Sequence, residues 1–451
     1  MPSFPTPPLN TRLGFHYCPD TLHYRDSDLA LWIPELKSLG ASWITLLAPA
    51  DRAIPESFIK GLVSSSIEPI LHFNLPLAAS LKADDISLLF DIYAKWGLHY
   101  VVLFDRPNRR ASWPASLWVQ SALVDRFLDR FILLAEQSLK AGLHPVFPPL
   151  LPGGDYWDTA FLREALQSLD RRGHHRLLEN LVLGAYALPG ERSLTWGRGG
   201  PERWPAAHPY LDSRGCEDHR GLYIYEWYSA IAESVIGFSP PQFLFGITGR
   251  PIYSKQPLRR EDSDVMRTLA IAQALFSPGT TNNKAAVSHA YSQGLDPFPP
   301  GILAANFWLL TAEHGTPYEN QAWIQGDGAR SRLAEALRFW LAGINPSPPE
   351  TMSKSVRSPV DRHPIRHYLL LPAFDWGISA WHLTAARPFI AKYQPTIGFS
   401  LKEARLAARV TVVGGPEQFP EEELDTLRGF GCLVERIDGD GMSIATQLSE
   451  R

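Results

Sequence analysis

Eight short apolar runs, separated by amphipathic stretches, constrain the fold of this chain more than any other feature. The runs are rich in Val, Ile, Leu and Phe, which is typical of parallel strands that are buried on both faces. The eight candidate strands are LGFHY from Leu13, WITLLAP from Trp43, PILHFNLP from Pro69, YVVLFDRP from Tyr100, PVFPPLLPGG from Pro145, LVLGAYALPG from Leu181, QFLFGITGRP from Gln242 and AANFWLLTAEH from Ala304. Between them, stretches such as SDLALWIPELKSLG repeat apolar residues at three and four positions, as amphipathic helices do.

This alternation predicts an α/β fold, a (β/α)8 TIM barrel over residues 1–345. The rival is a doubly wound sheet, but no G-x-G-x-x-G turn follows the first candidate strand. A Pro/Ser/Arg-rich stretch predicts a linker over residues 346–365. Beyond it, HYLLLPAF, ARVTVVGG and CLVERIDG alternate with helical stretches, so residues 366–451 are predicted to form a small C-terminal α/β domain.

Composition argues against several classes of protein. With 43 Lys and Arg against 47 Asp and Glu, the chain lacks the basic field that holds phosphates, and no nucleic-acid partner is expected. No run of about 18 apolar residues occurs, so no membrane span is expected. The N-terminus does not resemble a signal peptide, which predicts a cytoplasmic location by default and leaves association with the cell surface open as the alternative. The three cysteines show no C-x-x-C spacing, and no metal site or cofactor is predicted.

The carboxyl ends of the strands are the place to look for a site, because active sites of this fold gather there. Aromatic rings can cover the apolar face of a pyranose, while Asn, His and Asp side chains hydrogen-bond its hydroxyls. The candidate substrate-binding residues are His16, Tyr17, His72, Asn74, Arg106, Asn108, Tyr186, Arg250, Trp308 and Trp323. Because most of the 14 Trp and 22 Phe residues must fill core, each aromatic candidate also has a purely structural interpretation.

The fourth candidate strand runs into the motif VVLFDRPNRRASW. This motif resembles the fourth-strand motif of the large clan of retaining (β/α)8 glycoside hydrolases, clan A, in which Asn-Glu-Pro ends the strand and the Glu is the general acid/base. The resemblance places Asp105 at the Asn and Arg106 at the Glu. The clan carries its nucleophile as Thr-Glu after strand seven, where this chain has Thr248 and Gly249. The resemblance therefore implies a glycoside-hydrolase fold in which both catalytic carboxylates are missing.

A retaining glycosidase needs two carboxyl groups about 5 Å apart, and an arginine can neither protonate a leaving group at neutral pH nor attack. The resemblance thus implies an eroded enzyme that is retained for binding an oligosaccharide or polysaccharide, or as a scaffold. Two alternatives stay open. One is an active glycoside hydrolase that uses Asp105 with a relocated carboxylate, for which Glu226 and Glu313 are candidates. The other is a structural or partner-binding protein.

Arg106 is expected to form an ion pair. An unpaired guanidinium at the mouth of a mostly apolar barrel would cost several kcal/mol, so a carboxylate must meet it. The sequence offers Asp105 and Glu313 as the leading partners. Such a pair would fill the position where an active enzyme holds a free carboxyl group.

The segment ARVTVVGGPEQFPEEELDTLRGFGCLVERIDGDGMSIATQL resembles one unit of the cell-wall-binding repeat type 2 of bacterial surface proteins. The matching features are the strand VTVVGG, the turn at Gly414 and Gly415, a helix that ends at Gly431, and VERIDG. The chain departs from the repeat where Asp-Arg-Tyr is usual, and those repeats come in threes whereas this unit occurs once. The resemblance implies a cell-wall polymer as a partner; a stabilising domain docked on the barrel is the alternative.

Overall fold

The computed structural model describes most of the chain. The described residues are 3–77, 83–190, 192–208, 217–247, 261–276, 295–326, 328–344, 363, 365–374, 377–378 and 380–450. Thr248, Gly249 and Arg250 lie outside the described residues, as does most of the linker predicted over 346–365. The expectations attached to those positions, and the exact domain boundaries, therefore stay predictions.

Eight parallel strands close into a barrel, which confirms the (β/α)8 prediction. The strands are β1 (Leu13–His16), β2 (Trp43–Leu47), β3 (Glu68–Phe73), β4 (Tyr100–Leu103), β5 (His144–Leu150), β6 (Val182–Tyr186), β7 (Gln242–Ile247) and β8 (Ile302–Phe307). Each strand pairs with the next along the chain, and β8 pairs with β1 through the register Gly14 to Asn306. All eight strands predicted from apolar runs are present.

The helices surround this barrel. They are α1 (Asp26–Ser38), α2 (Glu56–Ser64), α3 (Ala83–Lys95), α4 (Ala115–Trp118), α5 (Leu123–Ala141), α6 (Asp158–Arg171), α7 (His175–Glu179), α8 (Gly200–Arg203), α9 (Ile224–Ile236), α10 (Glu261–Leu275) and α11 (Arg332–Ile344). In α5, Phe127 and Phe131 stand four residues apart and therefore share one face of the helix. Their ring centroids lie 5.8 and 5.5 Å from that of Phe147 on β5. Within the described part of the chain, no helix combines the length and apolarity needed to cross a bilayer.

The N-terminal segment covers the amino end of the barrel. The Tyr100 hydroxyl donates to the Pro5 carbonyl at 2.6 Å, and the Trp43 Nε1 donates to Asn10 Oδ1 at 2.7 Å. Trp43 and Tyr100 belong to the layer of side chains that fills the barrel interior. Because these contacts occupy the amino end, the carboxyl end is where the barrel can receive a ligand.

The C-terminal part is a second α/β unit. Its parallel sheet has the order β12-β9-β13-β14. The strands are β9 (Ile365–Leu370), β12 (Thr396–Gly398), β13 (Ala407–Val413) and β14 (Leu433–Ile437), with a small hairpin of β10 (Ala373–Phe374) and β11 (Gly377–Ile378). Helices α12 (Ala380–Tyr393) and α15 (Gly441–Glu450) pack on one face, and α13 (Leu401–Ala404) and α14 (Glu421–Gly429) pack on the other. The predicted small domain is confirmed, whereas β12 was not predicted.

The small domain is docked on the barrel. The Ala53 amide donates to the Ile397 carbonyl at 3.2 Å, so the loop after β2 meets the end of β12. Leu88 and Ile92 of α3 belong to the same buried apolar cluster as Phe389 of α12. Shared apolar burial and backbone contacts together fix this domain against the barrel.

Arg52 is a buried polar residue that joins the barrel to the small domain. Its side chain is 5% exposed, pairs with Glu403 and donates to the Thr21 carbonyl at 2.5 Å.

We expect Arg52→Met to lower the free energy of unfolding by about 3 kcal/mol, because Glu403 would lose its only charged partner among the described residues. Thermal and urea unfolding measure the change. Arg366→Met is the matched control, since Arg366 pairs with Asp26 at an 85% exposed position and should cost less than about 1 kcal/mol; equal costs would contradict the prediction.

Candidate functional site

The end of β4 is held in an unusual backbone conformation. Phe104 has φ 73° and Arg106 has φ 45°, a region that costs non-glycine residues roughly 1–3 kcal/mol each. Neighbouring strand ends hold this turn in place. The Arg106 amide donates to the Pro149 carbonyl at 3.1 Å, and His72 Nε2 donates to the Phe104 carbonyl at 3.1 Å. The turn therefore fixes the side chains that follow β4 at the barrel mouth.

Asp105 is engaged through both carboxylate oxygens. Arg106 donates to Oδ2 from Nε at 2.7 Å and from Nη2 at 2.6 Å, and the Tyr186 hydroxyl donates to Oδ1 at 2.8 Å. The predicted ion pair of Arg106 with Asp105 is confirmed. Glu313, the other predicted partner, instead bonds with His23 Nε2 at 2.9 Å. Both carboxylate oxygens of Asp105 are therefore already bonded to neighbouring side chains.

Two buried histidines at the mouth are neutral and carry opposite tautomers. His16 Nε2 accepts the Gly246 amide proton at 3.2 Å, so the ring proton of His16 must sit on Nδ1. His72 Nε2 donates to the Phe104 carbonyl, which leaves its Nδ1 with a lone pair. Burial, and to a lesser degree repulsion from His72, lowers the pKa of His16 to about 3, and burial also lowers the pKa of His72. Among the described contacts neither Nδ1 has a partner, so one donor and one acceptor remain.

Aromatic rings surround these polar groups. The Phe245 ring centroid lies 5.7 Å from that of His16 and 6.3 Å from that of His72. The Tyr186 ring is 6.5 Å from Phe245, and the Trp308 ring is 5.1 Å from His16. We call the following residues the mouth cluster: His16, His72, Asp105, Arg106, Tyr186, Phe245 and Trp308. Phe245 was missed in the sequence, although the alternation of Phe243 and Phe245 along β7 carried the signal.

Two predicted binding residues lie in the layer between barrel and helices instead. Tyr17 is 1% exposed, and its ring packs 5.7 Å from that of Phe58 on α2. Trp323 is 3% exposed and packs edge-on against Phe15, with ring centroids 4.9 Å apart. Both side chains contribute to the core, and among the described residues no ring contact or hydrogen bond joins the Tyr17 or Trp323 side chain to the mouth cluster. The prediction that Tyr17 and Trp323 bind a ligand remains untested, and the burial of both side chains argues against it.

The two predicted asparagines have different surroundings. Asn74 is exposed just after β3. Asn108 is fully buried, donates from Nδ2 to the Leu151 carbonyl at 2.8 Å and the Tyr156 carbonyl at 2.9 Å, and accepts the Leu151 amide at 2.8 Å. Asn108 therefore anchors the loop after β5 to the loop after β4. Its predicted contact with a ligand is not tested by this arrangement.

The three candidate catalytic carboxylates belong to separate networks. Glu226 on α9 accepts the Gly199 amide at 2.5 Å, and burial raises its pKa. Glu313 is 64% exposed and bonds with His23, while Asp105 lies in the ion pair at the mouth. Within the described part of the chain no contact joins any two of the three. A relocated catalytic pair thus stays a prediction.

A buried network that the sequence did not reveal lies beside the loop after β5. Asp158 is fully buried and accepts hydrogen bonds from His219 Nε2 at 2.8 Å, the Tyr228 hydroxyl at 2.9 Å and the Gly153 amide at 2.8 Å. Burial alone would raise the pKa of Asp158, but the attraction of His219 and these bonds outweigh it, and the pKa is lowered. His219 lies 61 residues after Asp158 in the sequence, so no local motif predicts their contact. In the described ranges, no group of three or more His, Cys, Asp or Glu side chains could hold a metal ion.

Comparison with known proteins gives likeness only among solved structures. No family model matches the chain, and no curated protein matches it. A GH39 enzyme from Xanthomonas axonopodis pv. citri is 11% identical, with 73% of this chain and 66% of that one covered and a TM-score of 0.45. A monomeric beta-xylosidase from Caulobacter crescentus CB15 is 12% identical, with coverages of 73% and 68% and a TM-score of 0.46. A fructose-bisphosphate aldolase from Plasmodium falciparum has 10% identity, coverages of 74% and 89% and a TM-score of 0.35.

These likenesses are too distant to carry an argument about activity. The barrel assignment rests on the strand pairing of this chain itself. The chain spans 66% of the length of the GH39 enzyme from Xanthomonas. Any activity, substrate or partner is therefore argued below from the residues of this protein.

Proposed function

We propose that the barrel binds a saccharide at the mouth cluster and does not hydrolyse it. The observation that carries the proposal is the closed ion pair at the end of β4. Arg106 stands where the resemblance to clan A glycoside hydrolases expects the general acid/base, and it holds Asp105 together with the Tyr186 hydroxyl. The side chains of the mouth cluster that can bind a sugar thus surround Arg106, which stands in place of the catalytic acid.

The cluster offers the two kinds of contact that a sugar ring needs. Trp308 and Tyr186 are partly exposed rings that can cover the apolar face of a pyranose. His16 retains an N–H donor and His72 a lone-pair acceptor, and a sugar hydroxyl can both donate and accept. Neutral imidazoles make these bonds without adding a net charge to the mouth.

The two carboxyl groups that hydrolysis needs are absent from the positions that the resemblance identifies, Arg106 and Gly249. General acid catalysis contributes about 10²- to 10⁴-fold, and an arginine cannot supply it at neutral pH. The nucleophile position, Gly249 in the sequence, has no side chain that could attack an anomeric carbon. Binding without turnover is the function that these substitutions leave.

Calorimetry against a panel of oligosaccharides and cell-wall polymers, run beside a reducing-sugar assay on the same panel, tests the proposal. We expect affinity for at least one glycan, no release of reducing sugar, and about tenfold weaker binding in Trp308→Ala, because loss of the stacking contact and of the apolar area that it buries costs on the order of 1.4 kcal/mol. Phe339→Ala is the control: this ring is 85% exposed on α11 and lies outside the mouth cluster.

Two outcomes would overturn the proposal. Release of reducing sugar would show an active glycoside hydrolase, and loss of that activity in Asp105→Asn would then identify Asp105 as one of its carboxylates. Absence of affinity for the whole panel would remove saccharide binding and favour a structural or partner-binding role.

A further inference from the structure

One histidine side chain joins the loops that follow β1 and β8 at the carboxyl end of the barrel. His23 lies in the loop after β1, and its side chain is 18% exposed. Its Nδ1 lies 2.8 Å from Asp20 Oδ1, and its Nε2 lies 2.9 Å from Glu313 Oε1. Asp20 belongs to the same loop as His23, whereas Glu313 lies 290 residues further along the chain, in the loop after β8. We call the contact of His23 with these two carboxylates the histidine bridge.

The complete bridge requires a charged ring. An ionised carboxylate only accepts hydrogen bonds, while a neutral imidazole has one N–H and one lone pair. A neutral His23 could therefore bond to one carboxylate only and would direct its lone pair at the other. The hydrogen bond to Asp20 raises the pKa of His23 by more than burial lowers it, and Glu313 adds to the rise.

His23 is the group of this loop that changes charge near neutral pH. Burial alone would raise the pKa of Asp20, but the hydrogen bond from His23 and the attraction of His23 and Arg52 lower it. Asp20 and Arg52 therefore keep their charges. Burial raises the pKa of the Cys18 thiol and of the Tyr17 hydroxyl, which keeps both groups neutral. The Tyr17 hydroxyl donates to the His23 carbonyl at 2.8 Å and so helps to fix the backbone of His23.

The bridge extends a pair of backbone contacts between the same two segments. The Leu310 amide donates to the His16 carbonyl at 2.7 Å, and the Thr311 amide donates to the Tyr17 carbonyl at 3.2 Å. These bonds attach the start of the loop after β8 to the end of β1. Two residues further on, Glu313 attaches the next part of that loop through its side chain.

The loop after β8 also positions a ring of the mouth cluster. Trp308 Nε1 donates to Gln321 Oε1 at 2.7 Å, and the ring centroids of Trp308 and Tyr318 lie 6.1 Å apart. The Thr316 hydroxyl donates to the Glu313 carbonyl at 2.7 Å, so Glu313 belongs to the same folded loop. A movement at Glu313 is therefore transmitted to the groups that surround Trp308.

Loss of the proton from His23 must break one of the two bonds. Asp20 is 34% exposed and Glu313 is 64% exposed. Water replaces a partner more readily at the more exposed carboxylate, and the bond to Asp20 joins residues of a single loop. The remaining proton of His23 therefore stays on Nδ1, and the lone pair on Nε2 faces the Glu313 carboxylate, which favours separation of the two loops.

We propose that the histidine bridge is a pH-sensitive latch, which holds the loop after β8 against the loop after β1 while His23 is charged and releases it when His23 is neutral. Because the pKa of His23 is raised in the folded protein, the stability that the bridge contributes is fully present below about pH 6.5 and is lost as the pH rises through the folded-state value. The latch does not depend on the proposed saccharide site, which it would affect only through Trp308.

Hydrogen exchange of the full chain without ligand, measured from about pH 5.5 to about pH 8.5 and corrected for the intrinsic rate at each pH, tests the latch. We expect the amides of residues 312–321 to exchange about two- to fivefold faster at the alkaline end, the size expected for loss of one partly exposed ion pair. Glu313→Gln should abolish this pH dependence, because a neutral amide can bond to either form of the ring. In histidine carbon NMR, the pKa of His23 should lie above 6.5 and should fall in Glu313→Gln.

His314→Gln is the matched control. His314 also lies in the loop after β8 and contacts a carboxylate, Glu319 Oε1 at 2.5 Å, but its side chain is 93% exposed and its partner belongs to the same loop. This variant should keep the pH dependence of the unaltered protein. Exchange that is independent of pH in the unaltered protein, an unchanged pH dependence in Glu313→Gln, or a pKa of His23 at or below 6.5 would overturn the proposal. No glycan is present in these measurements, so a failure of saccharide binding leaves their outcome unaffected.

Discussion

Replacement of Asp158 by alanine is expected to lower the free energy of unfolding by about 3–5 kcal/mol. Asp158 is fully buried and receives hydrogen bonds from His219, Tyr228 and the Gly153 amide. Its removal leaves these donors buried without an acceptor, and each such donor costs about 1–3 kcal/mol. Because His219 precedes α9 and Gly153 follows β5, the variant also releases two loops from each other.

Urea and thermal unfolding of Asp158→Ala measure this effect. Asp129→Ala is the matched control, because Asp129 also accepts a side-chain hydrogen bond, from Arg172 at 2.7 Å, but its side chain is 65% exposed. An exposed pair contributes about 0–1 kcal/mol, so the control should be nearly as stable as the unaltered protein. A similar decrease in the free energy of unfolding in both variants would contradict the prediction, because it would show that the buried Asp158 network stabilises the protein no more than an exposed ion pair does.

Acidification below about pH 6.5 is expected to destabilise the protein through its buried histidines. His16 has a pKa of about 3 in the folded state, against an ordinary value of 6.5. Between these values the unfolded chain binds a proton that the folded chain does not, so stability is full above about pH 6.5 and falls as the pH drops towards 3. The slope approaches 1.4 kcal/mol per pH unit, roughly 3 kcal/mol by pH 4 from His16 alone. Burial of His72 acts in the same direction.

Unfolding free energies measured from pH 4 to pH 8 test this expectation. His16→Gln should flatten the acid side of the stability curve by close to one proton, because the titrating ring is gone. Phe245→Leu disturbs the same packing without removing a titratable group, since the two rings lie 5.7 Å apart. It should lower stability by a similar amount at every pH. An unchanged acid slope in His16→Gln would contradict a neutral buried His16.

Much of the fold followed from the sequence, because burial on both faces leaves a signal that is local in the chain. The runs at Tyr100 and at Gln242 are apolar at nearly every position, as strands between an inner core and an outer helix layer must be. The ion pair of Asp105 with Arg106 was also predictable, since the residues are adjacent and an unpaired guanidinium would be costly.

What only the tertiary structure decided was which side chains meet. His16 and Tyr17 are neighbours in sequence, yet His16 joins the mouth cluster and Tyr17 packs against α2. Successive residues of a strand point to opposite sides, and only closure of the barrel determines which side is the interior. Asp158 meets His219 across 61 residues for a similar reason. Local sequence patterns predict how deeply a residue is buried. The residues that it contacts depend on how packing brings distant segments together.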